Sequence, residues 1–417
     1  MRPFTVLRPP LLLLLPAVVW AATVMTPTEA AVVGTGDVRE GYERTDYRTR
    51  SAALPHMPGR RLDLAARVDP PPLGLPPLSE RAPLRPAAVD LGRALFFDRR
   101  LSVNGTLSCG MCHVPEQGFT QNELRTPVGL EGRSVRRNAP ALYNVAYRSR
   151  LLHDGRESAL EEQIWSPLLA ENEMGNPDRT SVLRRIAGLD GYSERFATVY
   201  QAGLTAATLG AALASYQRAL LSADSPFDRW HFGAVADALD EHEQRGFAVF
   251  QQAGCTSCHT IGDDAALFTD NEFHNTGMGY RAQQATQRPA RLQIAPGVFT
   301  ELTVAVAVPR IVDGGRFEVT GRDADRGHFR TPTLRNVAVT GPYMHDGSLA
   351  TLGAVVDYYA AGGSGDPDQD PRVRPLQLST GDKAALEAFL ETLTGSDVAA
   401  LADDARSVGI GDSQPGG

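Results

Sequence analysis

The sequence predicts a mainly α fold of two similar helical domains packed against each other, with an extended N-terminal arm, and three observations predict it. The first is a duplicated motif: Cys109-Gly110-Met111-Cys112-His113 returns as Cys255-Thr256-Ser257-Cys258-His259. The second is a weak internal repeat around each copy. An apolar run precedes each motif (GRALFF from Gly92, GFAVF from Gly246) and a polar turn follows it (Gly118-Phe119-Thr120 and Phe268-Thr269-Asp270), the mark of a duplicated unit. The third is the apolar periodicity elsewhere. Segments 160–169, 181–186, 208–221 and 382–393 suit helices, and in the last Leu386, Phe389, Leu390 and Leu393 fall at i, i+3, i+4 and i+7. No convincing run of alternating strands appears.

C-x-x-C-H is the spacing of c-type haem attachment. Each cysteine forms a thioether to a vinyl group, and the adjacent histidine ligates the iron from the proximal side. A lone C-x-x-C would equally suit a redox dithiol or a zinc site. Two copies, each followed by histidine, use all four cysteines of the chain and leave none for a disulfide. Cys109, Cys112 and His113, and Cys255, Cys258 and His259, are therefore expected to hold two covalent haem c groups, which makes the two units cytochrome c-like haem domains.

Taken in order, residues 1–30 read as a cleaved export signal, with Arg2 and Arg8 ahead of an apolar core and small-residue exits near Ala21 or Ala30. The periplasm is the expected location. No later stretch is long and apolar enough to span a bilayer. Residues 31–86 are rich in Pro and Arg and are expected to form the extended arm. The two domains are expected at 87–232 and 233–396, followed by a flexible tail at 397–417. A chain of 417 residues, 42% hydrophobic, is long enough for two cores. Its net charge of −8 is spread rather than blocked, so nucleic acid is excluded as a partner.

What a haem does turns on its sixth coordination position. After His113 no histidine occurs until His153, and the loop 114–135 offers neither His nor Met. The first haem is thus expected to be open to peroxide. Beyond the loop come His153-Asp154-Gly155-Arg156, then Gln163, then Glu173. A carboxylate and an amide in a haem pocket are the groups that peroxide cleavage requires, one to move a proton and one to orient the bound molecule. By itself, Glu173 reads more often as a solvated helix-end charge.

From about residue 73 to 394 the chain resembles the bacterial dihaem cytochrome c peroxidase and MauG superfamily. The resemblance rests on RALFFDRRLS from Arg93, the two haem motifs, RNAPALYN from Arg137, HDGRESALEEQ from His153, NEMG from Asn172, and RTPTLRNVAVTGPYMHDGS from Arg330. The wording of the motifs is closest to the MbnH branch, the dihaem enzymes of methanobactin operons.

The resemblance implies that His113 is the proximal ligand of a high-spin haem and His259 that of a low-spin haem. Gln163 and Glu173 match the distal amide and acid. Asn138 matches a side-chain ligand of a calcium ion, completed by carbonyls near Arg330 and Pro332; hard oxygen donors suit calcium. Conventional peroxidases of the family cap the first iron with a loop histidine until they are reduced. This loop has none, so reductive activation should be unnecessary.

For the second iron the resemblance offers Tyr359, as in MauG, or a methionine as in the conventional peroxidases, Met278 first and Met344 second. Without the family, Tyr359 reads as a packed aromatic. The choice matters because a phenolate favours ferric and higher states, whereas a thioether favours ferrous iron. The family commonly has a tryptophan bridging the haems just before Asp-Gly-Arg. His153 stands there in this chain, and Trp165 is the other bridge candidate. The function implied is a peroxide-driven bis-ferryl state that oxidises a residue, a tryptophan, on a small MbnP-like partner protein. The alternative is reduction of hydrogen peroxide to water with electrons from a small cytochrome or cupredoxin.

Overall fold

The computed structural model describes residues 59–78, 84–284, 287–295, 298–305 and 313–408. The expected signal peptide and the first part of the arm lie outside them. Among the described residues no helix is long and apolar enough to cross a membrane.

Each half is built on one helix crossing. In the first, Pro86–Phe97 starts on a proline, whose missing N–H costs nothing at a helix start. It packs on Ala206–Arg218, which Thr205 caps in a reciprocal box with Thr208. In the second, Glu241–Gln252, capped by Asp240, packs on Thr380–Glu391, capped by Ser379. Both crossings are close enough to require glycine. A Cβ at Gly92 would run into the Ala212 carbonyl and Tyr216, and one at Gly246 into the Ala385 carbonyl and Phe389. The repeat in the sequence is thus a repeat in packing.

Two main apolar cores follow from these crossings. The first gathers Phe96, Leu101, Phe119, Tyr143, Leu168 and Tyr216 with many smaller residues. The second gathers Phe227, Phe247, Phe250, Phe268, Phe389 and their aliphatic neighbours. Phe227 is fully buried in the second core, so that half begins with the helix Pro226–His231, ahead of the boundary expected at 233.

Three further expectations need correction. Residues 59–78 are not merely an extended arm, because Leu64, Val68 and Leu75 are buried in the first core. The stretch after 397 is not a flexible tail over its described part. Val398–Ala405 is a helix that buries Leu401 and Asp404, also in the first half. One oxygen of its acid meets Arg93 at 3.1 Å and the Leu62 N–H at 2.7 Å, while the other has no hydrogen-bond partner among the described residues. Burying an acid is tolerable only with such partners. Finally, a run of strands does exist: Gln287–Ala295 pairs antiparallel with Val298–Ala305, with a bulge between Gln293 and Ala295. A two-residue pairing, Phe273–His274 with Phe329–Arg330, is the other sheet among the described residues. The fold remains mainly helical.

Candidate haem centres

Each C-x-x-C-H motif sits on one short helical turn, Cys109–Cys112 in the first half and Cys255–Ser257 in the second. The histidines that follow are held identically. His113 Nδ1 lies 3.0 Å from the Phe119 carbonyl, and His259 Nδ1 lies 2.9 Å from the Phe268 carbonyl. Both carbonyl-bearing residues take a positive φ, 53° and 50°, that turns the chain back on the ring. A backbone acceptor on Nδ1 fixes the tautomer and leaves Nε2 free as a ligand atom. Burial pushes His113 down to about 4 and lowers His259, so both rings are neutral, as ligation requires. Phe96 lies 6.4 Å from His113 and Phe250 6.5 Å from His259, at matching tilts.

The first motif opens on a cavity of about 540 Å³. Cys109, Cys112 and His113 line one side, and Gln163 and Glu173 also line it. The helix Leu160–Gln163 brings in the amide. A tight turn brings in the acid, with Glu173 N bonded to the Ala170 carbonyl and Gly175 N to the same oxygen. The loop after the motif is docked onto this turn. Leu130 N donates to the Glu173 carbonyl at 3.1 Å, and Asn172 Nδ2 reaches the Ser134 carbonyl. Burial raises the Glu173 carboxyl above the usual range, and Arg156 opposes the rise.

Two features test whether haem c fits. The thiols are buried: Cys109 is pushed up to about 12, and Cys112 and Cys255 to about 11, by desolvation first. They are therefore poor thiolates, and thioethers with no charge suit the place. Arg148, on the cavity wall, bonds only the Ala141 carbonyl, and desolvation drives its pKa well down. Arg330 bonds only the Leu152 and Thr331 carbonyls through its side chain and is lowered to about 10, again by burial. Neither forms an ion pair among the described residues. Buried cations without carboxylates fit a ligand that brings its own, as haem does in its propionates.

In the second half the helix Leu352–Ala360 carries Tyr358 and Tyr359. Tyr358 is buried and its hydroxyl donates to the Thr276 carbonyl at 2.6 Å. Burial raises the Tyr359 phenol, and the charges of Tyr358, Cys255 and Cys258 act in the same direction. Met278, 3% exposed, and Met344 pack in the same small cluster. The structure therefore brings all three candidate distal ligands together. Cys258, Asp270 and His274 also converge.

A model of the family described as "Di-haem cytochrome c peroxidase" matches residues 86–236. The methylamine utilization protein MauG of Methylorubrum extorquens is 36% identical over 314 residues, covering 75% of this chain and 79% of that protein. The chain belongs to the dihaem cytochrome c peroxidase family. A cytochrome c peroxidase of Denitromonas iodatirespirans is also 36% identical, over 78% of this chain and 86% of its own. Among solved structures, a MauG-like protein associated with microbial copper homeostasis matches with a TM-score of 0.61 and 32% identity, over 79% of this chain and 94% of that one. The protein is accordingly a haem peroxidase, an oxidoreductase that carries haem c.

His153 lines the first cavity, with Nε2 3.0 Å from the Asn138 carbonyl, and its own carbonyl accepts from Arg330 N of the other half. Burial pushes its ring down to about 3, so it is neutral. Trp165 does not line the cavity. It is buried in the first core, on the next short helix, Trp165–Leu169, with Arg179 4.8 Å over its ring. Asn138 is a buried strut: its Nδ2 donates to the Arg125 carbonyl and its N to the His345 carbonyl.

What the sequence did not single out is the charged rim. Arg137 is bidentate to Asp313 and also meets Asp154. Arg136 meets Glu318 and Asp313. Four arginines in the stretch 125–137 were the available signal.

Proposed function

We propose that this chain is a periplasmic peroxidase of the MauG and MbnH type, which uses hydrogen peroxide to oxidise a residue, a tryptophan, on a small MbnP-like partner protein. The observation that carries the proposal is the cluster in which Tyr359, on the helix Leu352–Ala360, packs with Met278 and Met344, its phenol sensing the charges of Cys255 and Cys258. The lack of any histidine in the loop 114–135, and that loop's anchorage to the Glu173 turn, support it. So do the likenesses to MauG and to the MauG-like protein of copper homeostasis.

His113, with Cys109 and Cys112, would hold the first haem, and His259 with Tyr359, Cys255 and Cys258 the second. Bound there, haem c supplies the two-electron oxidation by peroxide. Glu173 accepts the proton from the inner oxygen of peroxide and returns it to the outer oxygen, and the Gln163 amide holds the molecule in line. His153, neutral and placed where the halves meet, stands in for the family's bridging tryptophan. Asn138 is the side chain proposed for calcium.

A second reading rests on Met278, buried in the same cluster as Tyr359. If it takes the second iron, the protein reduces peroxide to water with electrons from a small cytochrome or copper protein.

The test is electron paramagnetic resonance of the ferric protein before and after one equivalent of peroxide. The proposal expects one high-spin and one low-spin signal, both lost without prior reduction. Two low-spin signals that ignore peroxide until one haem is reduced would overturn it in favour of the second reading.

A further inference from the structure

We infer that charge passes between the two haem sites along one continuous chain of hydrogen bonds and peptide bonds, in which the hydroxyls of Thr120 and Thr269 are the links on either side of His153. The inference rests on the reading of His153 as the bridge and deepens it, by naming how that residue is joined to each centre.

The chain starts at the first proximal histidine. His113 Nδ1 donates to the Phe119 carbonyl at 3.0 Å. The next residue, Thr120, is fully buried, and its hydroxyl donates to the Ala139 carbonyl. One peptide back, the Asn138 carbonyl accepts from His153 Nε2 at 3.0 Å. His153 then spans the junction, for its own carbonyl accepts from Arg330 N at 2.8 Å. One peptide on, the Thr331 carbonyl accepts from the Thr269 hydroxyl at 2.8 Å. Thr269 follows Phe268, whose carbonyl accepts from His259 Nδ1 at 2.9 Å. Every step that is not covalent is thus a hydrogen bond.

The two arms of the chain are built alike. Phe119-Thr120 and Phe268-Thr269 are the same pair in the two halves, and each threonine hydroxyl donates to the carbonyl of a residue that precedes a proline, Ala139 before Pro140 and Thr331 before Pro332. A nearby hydroxyl does other work. Thr333 Oγ1 donates to the Leu267 carbonyl at 2.6 Å, a bond that lies off the chain between the two histidines.

The links are buried as well as bonded. Thr120, Asn138, Ala139, Thr269, Arg330 and Thr331 are all shielded from solvent, so each hydrogen bond polarises the next in a low-dielectric setting. An electron crosses bonded atoms more readily than the gaps of loose packing. When peroxide has oxidised the first haem, one electron leaves the second haem and reaches the first. No bond of the chain breaks, and each proton stays on its donor.

The experiment uses the full haem-loaded chain as wild type and as Thr120→Val, Thr269→Val, Thr269→Ser, Thr333→Val and His153→Ala. Valine keeps the shape of threonine and removes the hydroxyl. The readout is transient absorbance of the half-reduced protein with carbon monoxide on the first haem: a light flash frees that haem, and the electron redistributes between the two without peroxide. Redistribution should slow several-fold in Thr120→Val, Thr269→Val and His153→Ala, while Thr269→Ser and Thr333→Val keep the wild-type rate. Resting resonance spectra of the threonine variants should match wild type, because His113 and His259 keep their own carbonyl partners. Slowing that came only with altered resting spectra would mark a displaced ligand and count against the inference. Valine variants at the wild-type rate, beside a slowed His153→Ala, would overturn the inference alone and leave His153 bridging through its ring. An unslowed His153→Ala would overturn the bridge reading and the inference with it. Should Thr120→Val not fold, the Thr269 pair decides: a serine variant as slow as the valine one overturns the inference.

Discussion

Tyr358 and Tyr359 meet edge to face, with ring centroids 5.6 Å apart, yet the two phenols serve different neighbours. Tyr358 donates to the Thr276 carbonyl and lies under Arg281, whose guanidinium carbon is 5.5 Å from the ring centre. Tyr359 packs in the cluster with Met278 and Met344. Adjacent residues on a helix differ by about 100°, so the two phenols leave it in different directions.

Replacing Tyr359 by methionine should therefore change the low-spin resonance and raise the reduction potential of the second haem. A soft thioether favours ferrous iron where an anionic oxygen does not. Tyr358→Phe and Met278→Leu should leave that resonance in place. Resonance spectra and a redox titration of the three variants check the expectation.

Glu173→Gln should slow the reaction with peroxide by roughly 10²–10⁴-fold, the usual contribution of a positioned proton-transfer group. The pH dependence has a definite sign. The ionised carboxylate is the proton acceptor, and burial raises its folded pKa. Reactivity should thus fall on acidification through a pH above the ~4.3 of a solvated glutamate. Stopped-flow rates across acidic and neutral pH give the midpoint.

His153→Ala should uncouple the two haems, whereas Trp165→Phe should not. His153 stands on the cavity wall where the halves meet, and Trp165 is packed in the first core. In samples frozen soon after peroxide is added, the low-spin ferric signal should persist in the His153 variant and vanish in the Trp165 variant.

Asp404→Ala should destabilise the folded protein by about 1–3 kcal/mol, because it takes the buried acid from Arg93 and leaves it the part-exposed Asp90. Removing both partners, with Arg93→Met added, should recover a substantial part of the loss. Denaturant unfolding of the haem-loaded proteins measures both.

Much of the site was readable in the residues because covalent haem attachment leaves a rigid spacing, and the crossing helices leave a regular apolar period. The segment at 382–393 appears as Thr380–Glu391, and that at 208–221 as Ala206–Arg218. The helix Val398–Ala405 was not readable, because Asp403 and Asp404 look solvated until Arg93 is known to face one of them. The hairpin at 287–305 was missed although Leu302 and Val304 alternate with Glu301 and Thr303. The pairing of the rim was not readable, since Arg136 and Arg137 find acids in the segment 313–318, far along the chain.

The return of residues 398–405 to the first core also sets an order of assembly. The second core is drawn from residues 227–393 and can close on its own stretch of chain. The first reaches from Leu64 to Ala405 and waits for both ends. In a chain that emerges amino end first, the half that meets peroxide is the earlier one made and the later one finished. Its long-range closure is the slower kind to form. The core that must gather both ends of the described chain is thus the last to close.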